Sequence, residues 1–127
     1  MTNPFSIRRF QEDGFSVFSL GGYLDAHTAP AFEDAIQKEV DANLCRIIVD
    51  CRNLDYISSA GLGVFMSFVE DVREREGDIK ICGLNSNVKE VFDILGFPQI
   101  FDVLENVQAA RQRFASAPGT GGPRGDL

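Results

Sequence analysis

Three hydrophobic runs in the first fifty residues are short and dense, as is typical of β-strands. Two phenylalanine-rich runs, at residues 5–10 and 15–20, flank a polar Glu-Asp-Gly turn, and Gly21-Gly22 follows the second run. This order predicts an antiparallel hairpin at the start of a sheet. The next apolar run, at residues 44–51, contains Ile-Ile-Val without alternation. It indicates a central strand that is covered on both faces.

Elsewhere the hydrophobic period is that of helices. Four helices are predicted: one capped by Thr28 with Pro30 in its first turn, one from near Ser59 to about Glu76, one capped by Ser86 or Asn87 and ended by Gly96, and one capped by Asn106. Further strands are predicted at residues 79–84 and, as a short last strand, at residues 100–103.

Strands that alternate with helices after a hairpin predict an α/β fold with a mostly parallel sheet of four to five strands and about four helices. A length of 127 residues suits one domain, which we expect to span residues 1–115. Residues 116–127 are rich in Gly and Pro, and they offer little apolar surface to bury. We therefore expect them to form a disordered tail.

The charge balance narrows the range of partners. Twelve basic and nineteen acidic residues give a net charge of −7, which disfavours nucleic acid or an anionic membrane as a partner. No apolar run reaches the roughly 20 residues of a membrane span, and residues 1–10 lack the layout of an export signal. We therefore expect a cytoplasmic protein. Its three cysteines have no CxxC spacing and are interpreted as small buried hydrophobic residues.

The most unusual local sequence lies where the central strand leads into the second helix. There the segment Ser58-Ser59-Ala60-Gly61-Leu62-Gly63 places two hydroxyls and two glycines in or beside the first helical turn. Each glycine in a helix costs about 1 kcal/mol relative to alanine. Because local rules are broken mainly at functional sites, the segment predicts a site that presents a serine hydroxyl.

Four kinds of chemistry are candidates at or near this segment. A hydrolase would need a base such as His27, the one histidine, but the Gly-x-Ser-x-Gly motif is absent. Gly61-x-Gly63 lacks the remainder of a nucleotide-binding motif. Asp50, at the predicted end of the central strand, would need companion carboxylates, such as Asp25, to serve as a phosphoacceptor. Phosphorylation of Ser59 by another enzyme fits best, because the positive end of a helix dipole tolerates an added phosphate. The plainer alternative is that Ser58 or Ser59 merely caps the helix.

Three segments resemble the anti-sigma factor antagonists of the STAS domain family. The first is Tyr-Ile-Ser-Ser-Ala-Gly-Leu-Gly-Val at residues 56–64, after Ile-Ile-Val-Asp at residues 47–50. The second, at residues 22–25, matches a Gly-x-Leu-Asp turn, and the third, at residues 88–97, is similar to the family's third helix and the loop after it. The likeness covers about residues 5–115, in order and with compatible spacing.

This resemblance implies a regulatory protein that is not an enzyme. The unmodified antagonist would bind a GHKL-type serine kinase that also acts as the anti-sigma factor. Phosphorylation would end the interaction, and a PP2C-type phosphatase would restore it. The implied acceptor is Ser59, two residues before Gly-Leu-Gly. The partner-binding surface is expected to include Asp25, Ser58, Ala60, Gly61, Leu62, Gly63 and Met66, although Leu62 is also a candidate core residue. We expect the free protein to be a monomer without a cofactor or metal.

Two positions depart from the family pattern. Ser58 stands where an aspartate is common, and Ala60 stands where serine or threonine is common. The loss of the aspartate removes a negative charge beside the acceptor, so kinase recognition is expected to differ, and Ser58 becomes a rival acceptor. The alternative function is that of a STAS domain that is never phosphorylated and serves as a scaffold or sensor.

Overall fold

The chain forms a five-stranded mixed sheet, which confirms the predicted α/β class. The structure is a computed structural model that describes residues 4–116. Strands β1 (Ser6–Glu12) and β2 (Phe15–Leu24) form an antiparallel hairpin. Strands β3 (Arg46–Ile57), β4 (Asp78–Cys82) and β5 (Val103–Leu104) then join in parallel, so that the strands follow one another in space in chain order. Each connection between the parallel strands contains a helix that packs against the sheet.

Three helices cover one face of the sheet, and a fourth covers the other. Helices α1 (Ala29–Asp41), α2 (Ser59–Glu74) and α3 (Ser86–Ile94) share the larger hydrophobic cluster, whereas α4 (Val107–Ser116) contributes Ala110 to a smaller one. At the centre of the larger cluster, the Phe65 ring contacts four other rings at centroid distances of 5.3 to 6.4 Å, those of Phe32, Phe92, Phe97 and Phe101. Strand β3 contributes Ile47 and Val49 to this cluster and Ile48 to the smaller one. It is therefore covered on both faces, as its sequence predicts.

Strands β2 and β3 are longer than predicted, and this difference shapes the site. Gly21-Gly22 does not end β2, because the strand pairing passes over it with register shifts, and Gly22 has a φ of 83°. A Cβ built on Gly22 would lie 2.6 Å from the carbonyl oxygen of Pro4. The glycine thus permits a bend and a close approach within the strand. Both strands consequently continue beyond the predicted ends at Leu20 and Cys51, and Asp50 lies within β3 rather than at its end.

Several other element boundaries also differ from the predictions. Asn85 caps α3, since its Oδ1 accepts a hydrogen bond from the amide of Val88 at 2.9 Å, so the prediction of Ser86 or Asn87 was wrong. A short 3-10 helix (Phe97–Gln99) delays the last strand beyond its predicted start. The cap of α4 is Asn106, as predicted, and this helix ends at Ser116. The rest of the predicted tail lies outside the described residues.

An ionic cluster inside the domain joins β4 to elements on both sides of it. The ammonium of Lys80, a residue that is only 2% exposed, lies 3.1 Å from Asp78 Oδ2 and 2.7 Å from Asp102 Oδ2. Arg73 Nε on α2 donates to Asp78 Oδ1 at 2.8 Å. The same ammonium lies 4.6 Å from the centroid of the Phe114 ring on α4. The cluster therefore ties the two helices to one strand.

The cysteines of the chain are buried and free. Burial raises the pKa of the Cys82 thiol to about 12, and it also raises the pKa values of Cys51 and Cys45. The neutral thiol is thus favoured at all three positions, which agrees with their interpretation as small hydrophobic residues. Across residues 4–116, we find no helix with the length and apolar character that crossing a membrane requires.

Candidate functional site

The start of α2 and the loop before α1 lie side by side at the carboxyl edge of the sheet. The amide of Ser58, after β3, donates to the carbonyl oxygen of Leu24, at the end of β2, at 2.9 Å. Because β2 and β3 are parallel neighbours, the segments that leave them emerge together. The structure thus brings the predicted Asp25 loop next to the predicted Ser59 segment.

Ser59 is the first residue of a helix whose N-terminus has no side-chain cap. Ser58 is the N-cap residue, with extended φ and ψ of −103° and 176°, and its carbonyl oxygen accepts the first helical hydrogen bond from Leu62 at 3.0 Å. Within residues 4–116, the Ser58 side chain makes no hydrogen bond to the amides of the first turn. Because α2 is sixteen residues long and its first amides are uncapped, its N-terminus carries a partial positive charge beside the exposed Ser59.

The two adjacent serines differ in access. Ser59 is exposed, whereas the Oγ of Ser58 is buried and finds no hydrogen-bond partner among the described residues. Ser58 is therefore a cap by position only, because its hydroxyl does not reach the free amides. An enzyme that approaches from solvent reaches the Ser59 hydroxyl directly, but it would have to move the Ser58 side chain first.

The two glycines of the segment also have different surroundings. Gly61 is buried, and a Cβ built there would lie 2.7 Å from Leu24 Cγ and 3.0 Å from Ile57 Cγ1. A Cβ on Gly63 would meet nothing within 4 Å. Gly61 is thus explained by packing of α2 against the ends of β2 and β3. Gly63 alone of the two faces open space, where a partner's backbone could approach closely.

The remaining predicted surface residues on α2 divide in the same way. Leu62 is buried in the core, while Ala60 is exposed and Met66 has an exposed fraction of 44%. Ser59, Gly63 and Met66 follow one another at helical spacing on the exposed face of α2. Ser59 and Met66 are seven residues apart, which corresponds to about 10 Å along the helix axis. The exposed surface on α2 is therefore a stripe that begins at Ser59 and reaches Met66.

Asp25 organises its own loop. Its Oδ1 accepts hydrogen bonds from the amides of His27 at 2.9 Å and Thr28 at 3.2 Å. The Thr28 hydroxyl, in turn, accepts from the amide of Asp25 at 2.9 Å and donates to the carbonyl oxygen of Tyr23 at 2.8 Å. Thr28 is the N-cap residue of α1, but its hydroxyl is used within this loop and not for the helix amides. The loop beside Ser59 is thus held in a defined shape.

The geometry does not assemble the competing chemistries. His27 is exposed, and among residues 4–116 no hydrogen bond joins its ring to the Ser59 hydroxyl. Asp50 is buried within β3, where its carboxylate accepts from the backbone amide and the guanidinium of Arg52 at 3.1 and 3.3 Å. Asp25 lies in the loop before α1, where its Oδ1 accepts hydrogen bonds from the amides of that loop, and it is not a companion carboxylate of Asp50. In the described part of the chain, no cluster of three potential metal ligands is present.

The side-chain charges of the segments that form the site are acidic. No lysine or arginine occurs at residues 20–34 or 53–72, the segments that include the Asp25 loop and the first turns of α1 and α2. The same segments contain six carboxylates, of which Asp34 and Asp71 pair with Lys38 and Arg75, each four residues further along the chain. The other four are those of Asp25, Glu33, Asp55 and Glu70. A surface of this composition favours a basic partner.

Sequence reasoning missed two exposed tyrosines next to the site. The rings of Tyr23 on β2 and Tyr56 on β3 lie side by side, with a centroid distance of 5.5 Å and an interplanar angle of 40°. Their exposed fractions are 42% and 47%. They are register partners on the two parallel strands, which is why they meet. The sequence feature that could have indicated this pair is its equivalent placement, since Tyr23 is two residues before Asp25 and Tyr56 is two residues before Ser58.

Fold and site together define a small α/β domain with an exposed serine at a helix N-terminus on the carboxyl edge of its sheet. The chain belongs to the STAS domain family, since the model of that family matches residues 7–110. It is 36% identical over 105 residues to BtrV of Bordetella bronchiseptica, a protein named as a candidate anti-sigma factor antagonist, and the match covers 83% of this chain and 90% of that one.

Solved structures show the same fold. An anti-sigma factor antagonist from Mycobacterium paratuberculosis matches with a TM-score of 0.82 and 21% identity, over 91% of this chain and 99% of that one. The Bacillus cell fate determinant SpoIIAA in its phosphorylated form matches with a TM-score of 0.66 and 18% identity, over 87% of this chain and 98% of that one.

Proposed function

We propose that this protein is an anti-sigma factor antagonist controlled by phosphorylation of Ser59. In its unmodified state it binds a GHKL-type serine kinase that acts as the anti-sigma factor, so that the sigma factor is released. The kinase transfers the γ-phosphoryl group of ATP to Ser59 Oγ, which loses its proton as ADP leaves. A PP2C-type phosphatase hydrolyses the phosphoserine and restores the antagonist. The cycle uses ATP, and we place it in the cytoplasm.

The observation that carries this proposal is the exposed Ser59 hydroxyl at an uncapped helix N-terminus. A phosphoserine there adds a charge of roughly −1.5 to −2 next to the positive end of the helix dipole. The fold should therefore tolerate the modification. Two relatives support the proposal: BtrV by its name, and SpoIIAA because it has been solved in a phosphorylated form.

The docking surface that we propose includes the Asp25 loop and the exposed stripe of α2, with Ala60, Gly63 and Met66 around Ser59. Phosphorylation would place a doubly charged group in the middle of this contact. The phosphate acts by its bulk and by its desolvation, which costs at least the 1–3 kcal/mol of an unpaired polar group.

The test is to incubate the protein with ATP and a purified GHKL-type serine kinase from the same genome, and to map the phosphate by mass spectrometry. We expect one phosphate, on Ser59. Ser58→Ala is the matched control, because it removes the neighbouring hydroxyl and leaves Ser59 in place. This variant should be labelled like the wild type, whereas Ser59→Ala should bind the kinase and remain unlabelled.

Two outcomes would contradict the proposal. A phosphate on Ser58 alone would show that the buried hydroxyl is the acceptor. No phosphate on the wild type, with a kinase that binds it, would favour the scaffold or sensor function. Ser59→Asp should weaken kinase binding while its circular dichroism spectrum and melting temperature remain close to those of the wild type.

A further inference from the structure

The two exposed rings beside the site are the chain's only tyrosines, since its composition includes two tyrosines and no tryptophan. Tyr23 and Tyr56 lie next in sequence to Leu24 and Ile57, which are buried in the larger hydrophobic cluster. Neighbours along a strand point to opposite faces of the sheet. The tyrosine pair therefore projects from the face opposite α1, α2 and α3, at the carboxyl ends of β2 and β3.

The pair is close to the acceptor along the chain. Tyr56 is three residues before Ser59, so their Cα atoms are at most about 11 Å apart. Tyr23 is next to Leu24, whose carbonyl oxygen accepts a hydrogen bond from the amide of Ser58 at the start of α2. A partner that covers Ser59 and the Asp25 loop thus needs little further extent to reach both rings.

The chemistry of the pair selects a cation. The π faces of tyrosine attract a guanidinium or ammonium group within about 6 Å of the ring centroid. The carboxylates nearest to the pair along the chain are Asp25 and Asp55, and residues 20–34 and 53–72 contain no lysine or arginine, so no basic side chain of these segments competes for the rings. A guanidinium stacks on aromatic rings and is more weakly hydrated than an ammonium, which makes arginine the better fit.

We propose that the Tyr23–Tyr56 pair is a subsite of the docking surface and that it receives an arginine side chain of the partner kinase. The inference rests on the function proposed above and names the chemistry by which the partner is recognised. Tyrosine and arginine are the residue types that most often dominate binding energy at protein interfaces. The pair lies on the opposite sheet face from α2, so it adds affinity and orientation without contributing the acceptor itself.

Isothermal titration of the GHKL-type kinase into variants of this protein tests the subsite. Tyr23→Ala combined with Tyr56→Ala should raise Kd about tenfold. Tyr23→Phe with Tyr56→Phe should stay within about twofold of the wild type, because the π faces remain. Tyr23→Leu with Tyr56→Leu should be nearly as weak as the double alanine variant, because leucine keeps apolar area but offers no π face.

Phe10 provides the matched control for loss of an exposed aromatic ring. Its exposed fraction of 42% equals that of Tyr23. Its register partner is Val17 on β2, six residues before Tyr23, or about 20 Å along the strand. Phe10→Ala should leave Kd within about twofold of the wild type.

The outcomes separate this inference from the function that it rests on. If the double alanine variant binds like the wild type while Ser59→Asp weakens binding, the tyrosine subsite is refuted and the switch stands. If the leucine variant binds like the phenylalanine variant, the occupant is an apolar segment and not an arginine. If the wild type neither binds the kinase nor is phosphorylated by it, the proposed function and the subsite are refuted together.

Discussion

At the residue scale, the start of α2 shows how two identical residues in one motif serve different needs. Gly61 lies against Leu24 and Ile57 with no room for a Cβ, whereas Gly63 faces open space. Sequence alone marks both as costly in a helix and assigns both to the approach of a partner. The distance from Gly61 to a side chain on another strand depends on the packing of α2 and is not encoded locally.

This contrast predicts opposite effects of alanine at the two positions. Gly61→Ala should lower the free energy of unfolding by about 1–3 kcal/mol, because the added methyl group overpacks the contact with Leu24. Gly63→Ala should raise it by up to about 1 kcal/mol, because alanine is the better helix former and meets no neighbour. Urea unfolding of both variants measures the two values. Equal effects in the same direction would contradict the packing that we describe.

The sequence alone also does not show how the two serines differ in burial. The sequence identifies an exposed hydroxyl at this junction and, through the family resemblance, favours Ser59. It does not show that the Oγ of Ser58 is buried, because that depends on how the β3 end pairs with Leu24 through the amide of Ser58. Asp25 is another example: its position in the loop was predictable, but its hydrogen bonds to two loop amides were not.

At the scale of elements, the hydrophobic pattern predicts which segments are helices and strands better than where they end. Gly21-Gly22 resembles a strand terminator, yet β2 continues through it to Leu24 because a bulge absorbs the positive φ of Gly22. β5 also begins later than predicted. Residues 97–99 form a 3-10 helix, and the strand begins only at Val103.

The hydrophobic pattern of β4 does not reveal the environment of Lys80. It lies in a run that reads as apolar, and its ammonium is nevertheless buried between Asp78 and Asp102. Asp78 lies two residues before Lys80 in β4, whereas Asp102 belongs to the segment before β5, so its contact depends on how that segment packs against β4. Alternation along β4 places Asp78 on the same face as Lys80, but it does not predict Asp102.

Loss of this charge should be far more damaging than loss of a surface charge. Lys80→Met keeps the aliphatic stem but removes the ammonium that Asp78 and Asp102 share. Because Arg73 and Arg113 still pair with the two carboxylates, we expect a loss of about 1.5–3 kcal/mol in the free energy of unfolding. The matched control is Lys89→Met, which removes an exposed pair with Asp93 on α3. That variant should lose less than about 0.5 kcal/mol. Similar losses for both variants in urea unfolding would refute a structural role for the buried cluster.

At the scale of the whole molecule, the sheet topology explains why residues far apart in sequence form one surface. β2 and β3 are parallel neighbours, so the loop after β2 and the helix after β3 emerge at the same edge. The Asp25 loop, Ser59 and the tyrosine pair all derive from this pairing. The sequence predicts the class of fold and the acceptor, whereas the tyrosine pair follows from the strand register, which the short predicted strands did not reach.

The central claim is that phosphorylation of Ser59 decides whether the protein binds its kinase. The most direct measurement is isothermal titration of the kinase with unmodified protein and with protein that is stoichiometrically phosphorylated on Ser59. We predict that the phosphorylated form binds at least about tenfold more weakly, and that treatment with a PP2C-type phosphatase restores the original Kd. Values of Kd within twofold of each other for the two forms would contradict the claim.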